Sequence, residues 1–202
     1  IKIKDTNSII GFTKKILDSN LSQFDIEKII EKGEIAPVGE MAIEFKSTFQ
    51  FDIENNTQNK NLKFECAKEI AAFMNTSGGY LLIGVEDDGN IIGLEHDYNC
   101  LSHRQNQPTS DKFKQVISDY LCSTLKIEAN LIKDIIIFRF DNGKEICIII
   151  AEKQDKPVFI DTEIQLWDPW RDRWKSTSTK MQAFLKKDVN TKVRYGDIRE
   201  RF

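Results

Sequence analysis

The chain has 202 residues, of which 40% are hydrophobic and 30% charged, with a formal net charge of −3. That length and balance fit one globular domain with a real core and exclude a disordered chain. The longest apolar run, Ile146–Ala151, has the length of a buried strand and excludes a membrane-spanning helix.

In chain order, Ile9, Ile10, Phe12, Ile16 and Leu17 approximate one helical stripe, and Phe24, Ile26, Ile29 and Ile30 a second. Ser22 or Asp25 is placed to cap the second helix. Gly33, Pro37 and Gly39 then break the pattern, so residues 1–35 read as a helical arm or the end of a preceding region. Met41–Lys46 alternates as a strand, 52–61 is a polar loop, and Leu62–Met74 is a helix with Phe64, Ala67, Ile70, Ala71 and Met74 on one face. Asn75 and Gly78-Gly79 end that helix in a sharp reversal. Tyr80–Val85 is a strand, and Asp87-Asp88-Gly89-Asn90 turns it back toward Leu94.

His96–Thr109 reads as loop, and Asp111–Leu125 as a helix capped by Ser110. Ile127–Leu131 reads as an extended segment. Ile135–Asp141 and Glu145–Glu152 are strands joined by Asn142-Gly143, the strongest short hairpin signal in the chain. Pro157–Ile160 is extended, Ile164–Trp167 a short strand, and Ser176–Lys186 a terminal helix capped by Thr177 or Ser178. Interleaved helices and hairpins predict an α+β fold with a mixed, mostly antiparallel sheet and packed helices. The predicted organisation is an arm over 1–35, a domain over 36–186 and a basic tail over 187–202.

Charge is unevenly placed. From Arg171 to Phe202 there are ten Lys+Arg against four Asp+Glu, a balance of +6, which leaves −9 for the rest. A basic segment on an acidic body reads either as a solvated face or as a phosphate contact. Trp167, Trp170 and Trp174 are interleaved with Arg171, Arg173 and Lys175, a pattern suited to stacking on bases and holding phosphates, or to packing in a core. Cys66, Cys100, Cys122 and Cys147 are scattered without a C-x-x-C pair, which suits free thiols in a reducing cytoplasm better than a zinc site. His96 and His103 read as solvated loop residues.

The motif Glu44-Phe45-Lys46, then Ala72-Phe73-Met74-Asn75-Thr76-Ser77-Gly78-Gly79, Ile83-Gly84-Val85 and Gly93-Leu94, resembles the Schlafen AlbA_2 family. Lys156-Pro157-Val158-Phe159 and Trp174-Lys175-Ser176-Thr177 match its downstream strands loosely. The resemblance covers about residues 39–184. It implies a compact α+β fold and binding of nucleic acid, DNA or RNA, within a larger regulatory or defence protein. Some relatives are metal-dependent endoribonucleases acting on structured RNA.

By that resemblance the acidic triad falls on Glu40, Glu44 and Glu86, with Asp87 competing for the last place. These carboxylates are the candidate ligands for Mg²⁺ or Mn²⁺, since hard cations take anionic oxygens. On a regular strand Glu40 and Glu44 share a face. Lys46 is the nearest cation, suited to a phosphate or to a salt bridge with Glu44 or Glu86. With Arg171, Arg173 and Lys175 it makes up the expected backbone contacts. Oligomerisation through the helical arm is the remaining expectation; no membrane contact is expected.

Overall fold

The computed structural model describes residues 22–33, 42–101, 109–168, 173–184 and 194–196, with residues 161–168 and those beyond as backbone alone. Helix α1, Gln23–Lys32, starts on a capping box: the Ser22 hydroxyl accepts from the Asp25 N–H, and the Asp25 carboxylate accepts from the Ser22 N–H. Ile26, Ile29 and Ile30 are buried against the sheet, whereas Phe24, expected on the same stripe, stays 61% exposed. The Lys28 ammonium lies 4.3 Å from the centre of its ring.

The main sheet contains β1 (Ala42–Lys46), β4 (Gly79–Ile83), β5 (Ile132–Arg139) and β6 (Glu145–Ala151), in the order β1-β4-β6-β5. β1 runs parallel to β4, and the β4–β6 and β5–β6 pairs are antiparallel. The mixed, mostly antiparallel α+β fold expected from the hairpins is therefore present. Strand alternation splits the core into two layers. Ile43, Phe45, Tyr80, Leu82, Ile148 and Ile150 pack with α1. Ala42, Leu81, Ile83, Cys147 and Ile149 pack beneath α2 (Lys60–Met74) and α4 (Thr109–Leu125). With both faces covered, every residue of β4 is buried.

Several local expectations give way to the structure. A two-residue hairpin, β2 (Phe51–Asp52) with β3 (Thr57–Gln58), interrupts the expected loop at 52–61. A short helix α3, Glu95–Asn99, opens the stretch read as loop, because Asp97 is fully buried and accepts from the Phe49 and Gln50 N–H groups, each at 2.8 Å. α4 begins at Thr109, so Ser110 lies inside it rather than capping it. Residues 129–131 form a 3₁₀ turn, and the strand starts only at Ile132.

The largest correction concerns the C-terminal part. β7 (Phe159–Asp168) and β8 (Arg173–Phe184) form one antiparallel ribbon, with β9 (Arg194–Gly196) beside β8. The predicted helix at 176–186 is thus mostly strand. Its Ser176-Thr177-Ser178-Thr179 run is poor in helix formers, and β7 supplies a ladder partner for each of these residues. Ile160 roots the ribbon in the core.

The helix-to-strand reversal at 75–79 is built residue by residue. The Asn75 side chain donates to the Val158 carbonyl at 2.9 Å and accepts from the Val158 N–H at 2.8 Å, so it pairs with the start of the ribbon as a strand would. Thr76 Oγ1 donates back to the Ala72 carbonyl at 2.7 Å. Gly78 takes φ +83° and its N–H reaches the Phe73 carbonyl at 2.9 Å. Gly79 is needed for space: a Cβ there would lie 2.6 Å from the buried Phe73 ring.

Candidate functional site

Among the described residues β1 lies at an edge of the main sheet, and its alternation decides what the edge presents. Ile43 and Phe45 face α1, so Glu44 and Lys46 share the α2 side with Ala42. The Lys46 ammonium donates to Glu44 Oε1 at 2.6 Å. From α2, Glu69 brings Oε1 to 3.9 Å of the same ammonium. Glu44 and Lys46 keep 22% and 25% of their side-chain surface exposed, whereas Glu69 as a residue is only 5% exposed. Its Oε2 is buried and accepts no hydrogen bond. One turn back on α2, Glu65 is engaged by Lys68.

Burial pushes the Glu69 carboxyl up to about 8; the negative charge of Glu44 adds to the rise, and Lys46 offsets only part of it. Burial also opposes the charge on Lys46, but Glu44 and Glu69 outweigh it, and its affinity for a proton rises above the ordinary lysine range. Below this pair the Cys66 thiol is raised strongly by burial, which makes it inert as a nucleophile. Glu44, Lys46 and Glu69 therefore form a cluster of a carboxylate, an ammonium and a buried carboxyl that favours its protonated form, at a partly open sheet edge.

The segment holding Glu86 and Asp87 leaves β4 through a bulge. Gly84, at φ +95°, and Val85 both direct N–H groups at the Lys46 carbonyl, at 2.9 and 3.4 Å. The Gly84 carbonyl accepts from the Ile92 and Gly93 N–H groups, which pins the return of the turn. A Cβ on Gly84 would meet the Gly93 carbonyl oxygen at 3.1 Å. Glu86 is half-buried and accepts from Asn90 Nδ2 at 2.5 Å, while Asp87 is exposed. Glu86 thus starts just beyond the end of β1, with its carboxylate engaged within its own turn.

Glu40 and Arg171 lie outside the described residues, as do Trp170 and His103. Arg173 and Lys175 occupy alternate positions of β8, opposite Asp168 and Leu166, with Trp174 opposite Trp167. Trp167, Arg173, Trp174 and Lys175 of the aromatic–basic sequence cluster therefore lie where the end of β7 pairs with the start of β8. His96, read as solvated, stacks on Phe51 with ring centres 5.2 Å apart. Among the described residues no three His, Cys, Asp or Glu side chains form a group able to hold a metal ion. None of their helices is long and apolar enough to cross a membrane.

Glu69 was not among the sequence candidates. Its only sequence signal is a charged pair, Lys68-Glu69, inside a helix that is otherwise apolar from Cys66 to Met74.

Fold and site together define an α+β domain whose mixed sheet carries a charged cluster on one edge strand, with a separate β-ribbon bearing basic residues. The model of the Schlafen, AlbA_2 family matches residues 40–192, and the chain belongs to that family. No curated protein matches the chain.

Proposed function

We propose that this Schlafen-like domain binds nucleic acid through phosphate contacts from Arg171, from Arg173 and Lys175 on β8, and from Lys46 at the sheet edge. The observation that carries the reading is the placement of Arg173 and Lys175 at the start of β8, opposite the end of β7, in the part of the chain whose balance is +6. The ribbon strands are ten and twelve residues long, so at about 3.3 Å per residue they offer a reach of about 30 Å. The −9 carried by the rest of the chain repels a polyanion elsewhere and keeps the footprint local. Phosphate contacts position a nucleic acid without reading its sequence. Arg173→Ala is therefore expected to weaken binding of single-stranded RNA, structured RNA and duplex DNA by similar factors in fluorescence anisotropy. Unchanged affinity for all three removes Arg173 from the interface.

A second reading is a metal-dependent endoribonuclease, favoured by the cluster at Glu44. There the Glu44 carboxylate already binds a cation, the Lys46 ammonium, and is an anionic oxygen donor of the kind a hard metal ion takes. Mg²⁺ or Mn²⁺, held by Glu40, Glu44 and Glu86 with Asp87 as the alternative, would activate a water and stabilise charge on the scissile phosphate. Glu44 would then give up its bond to Lys46, leaving the ammonium to meet a phosphate oxygen. On this reading structured RNA with Mn²⁺ is cut and Glu44→Ala abolishes the cutting. Retained binding without any cutting by the wild-type chain decides for the binding module alone. A cytoplasmic setting suits the four free thiols, and self-association through residues 1–35 is tested by concentration-dependent mass with and without them.

A further inference from the structure

We propose that Glu69 is a positioning residue: it acts through Lys46, holding the ammonium so that an N–H is offered to a phosphate at the sheet edge. This rests on Lys46 being a phosphate contact, as proposed above.

The argument begins with a residue that the fold alone does not require. α2 is buried throughout from Cys66 to Met74, and Glu69 sits in that run beside Cys66, Ile70 and β1. A carboxyl in such a place is costly, and this one leaves Oε2 buried without a hydrogen bond. An apolar side chain of similar volume is the more stable choice there. What the carboxyl gains is one contact of functional kind, Oε1 at 3.9 Å from the Lys46 ammonium.

Lys46 has three N–H donors on a flexible stem. Glu44, two residues away on the same strand, takes one at 2.6 Å. A single partner leaves an ammonium free to rotate about that bond. A second carboxyl on a different element, 3.9 Å away across the strand-to-helix gap, holds the ammonium from a second direction without taking a hydrogen bond, and Lys46 keeps a quarter of its side-chain surface exposed. β1 and α2 are both rigid and buried, so the ammonium position is set by the fold rather than by a loop.

The test is a double-mutant cycle read by anisotropy with a labelled oligouridylate and a labelled duplex DNA, with folding checked by circular dichroism. Lys46→Met is expected to weaken binding about fivefold. Glu69→Leu, which fills the space, and Glu69→Ala, which empties it, are expected to weaken binding by a similar factor. Glu69→Gln, which keeps the shape and an acceptor oxygen, stays within about twofold of wild type. In the Lys46→Met background the Glu69 substitutions add nothing. Glu69→Leu or Glu69→Ala binding like wild type overturns the inference, as does a loss of equal size with and without Lys46. Unchanged binding by Lys46→Met overturns the phosphate role of Lys46 and this inference with it, while leaving the ribbon contact at Arg173 standing.

Discussion

Gly79→Ala destabilises the domain by about 3 kcal/mol, at the upper end of overpacking costs. Gly79 does not take a positive φ, so the destabilisation comes from space alone. The new Cβ lies 2.6 Å from both Cγ and Cδ1 of Phe73, and the Phe73 ring is 1% exposed, so it has nowhere to retreat. Moving the backbone instead disturbs the β1–β4 pairing that starts at Ala42 and Gly79. Gly143→Ala is the control. Gly143 has φ +85° with nothing within 4 Å of a built Cβ, so only the conformational cost of about 1 kcal/mol applies. Denaturant midpoints of the two variants measure the contrast, and equal destabilisation contradicts the close packing at Gly79.

The second large effect is a pH dependence carried by Glu69. Its ordinary value is 4.5 and burial raises it to about 8 in the folded chain. A raised carboxyl favours folding in its protonated form. Its contribution is fully present below about 4.5 and is lost as pH rises through about 8, by a few kcal/mol at most. The charged groups around it are Glu44 and Lys46 on β1, with Glu65 and Lys68 on its own helix. Lys46 titrates above this window and stays charged across it. Glu69→Gln removes the proton equilibrium and keeps the shape. The stability of wild type relative to Glu69→Gln therefore falls steadily from pH 5 to pH 8. A constant difference over that range shows that the Glu69 carboxyl is hydrated and titrates normally.

The centre of the fold was legible because its signals are local and mutually consistent. Asn75, Gly78 and Gly79 each answer a specific demand of the reversal, and Asn142-Gly143 sits in the hairpin it predicts, with Gly143 at φ +85°. The sequence did not reveal that Asn75 reaches Val158, since that pairing spans 83 positions. The C-terminal helix was misread for a related reason: Ser176–Lys186 carries cap-like residues, but its state is decided by pairing with β7. Glu44 and Lys46 were recognisable as site candidates from their motif. Glu69 was not, because a charged residue on a helix reads as solvated until packing on β1 buries it.

The most direct test of nucleic-acid binding is the salt dependence of affinity for wild type and for the Arg171→Ala, Arg173→Ala, Lys175→Ala triple variant. Removing one cation that neutralises a phosphate lowers the slope of log K against log salt concentration by about 0.7 to 0.9. The triple variant is therefore expected to bind weakly, with a slope shallower by about 2 to 3. Parallel slopes and equal affinities contradict the ribbon as the nucleic-acid interface.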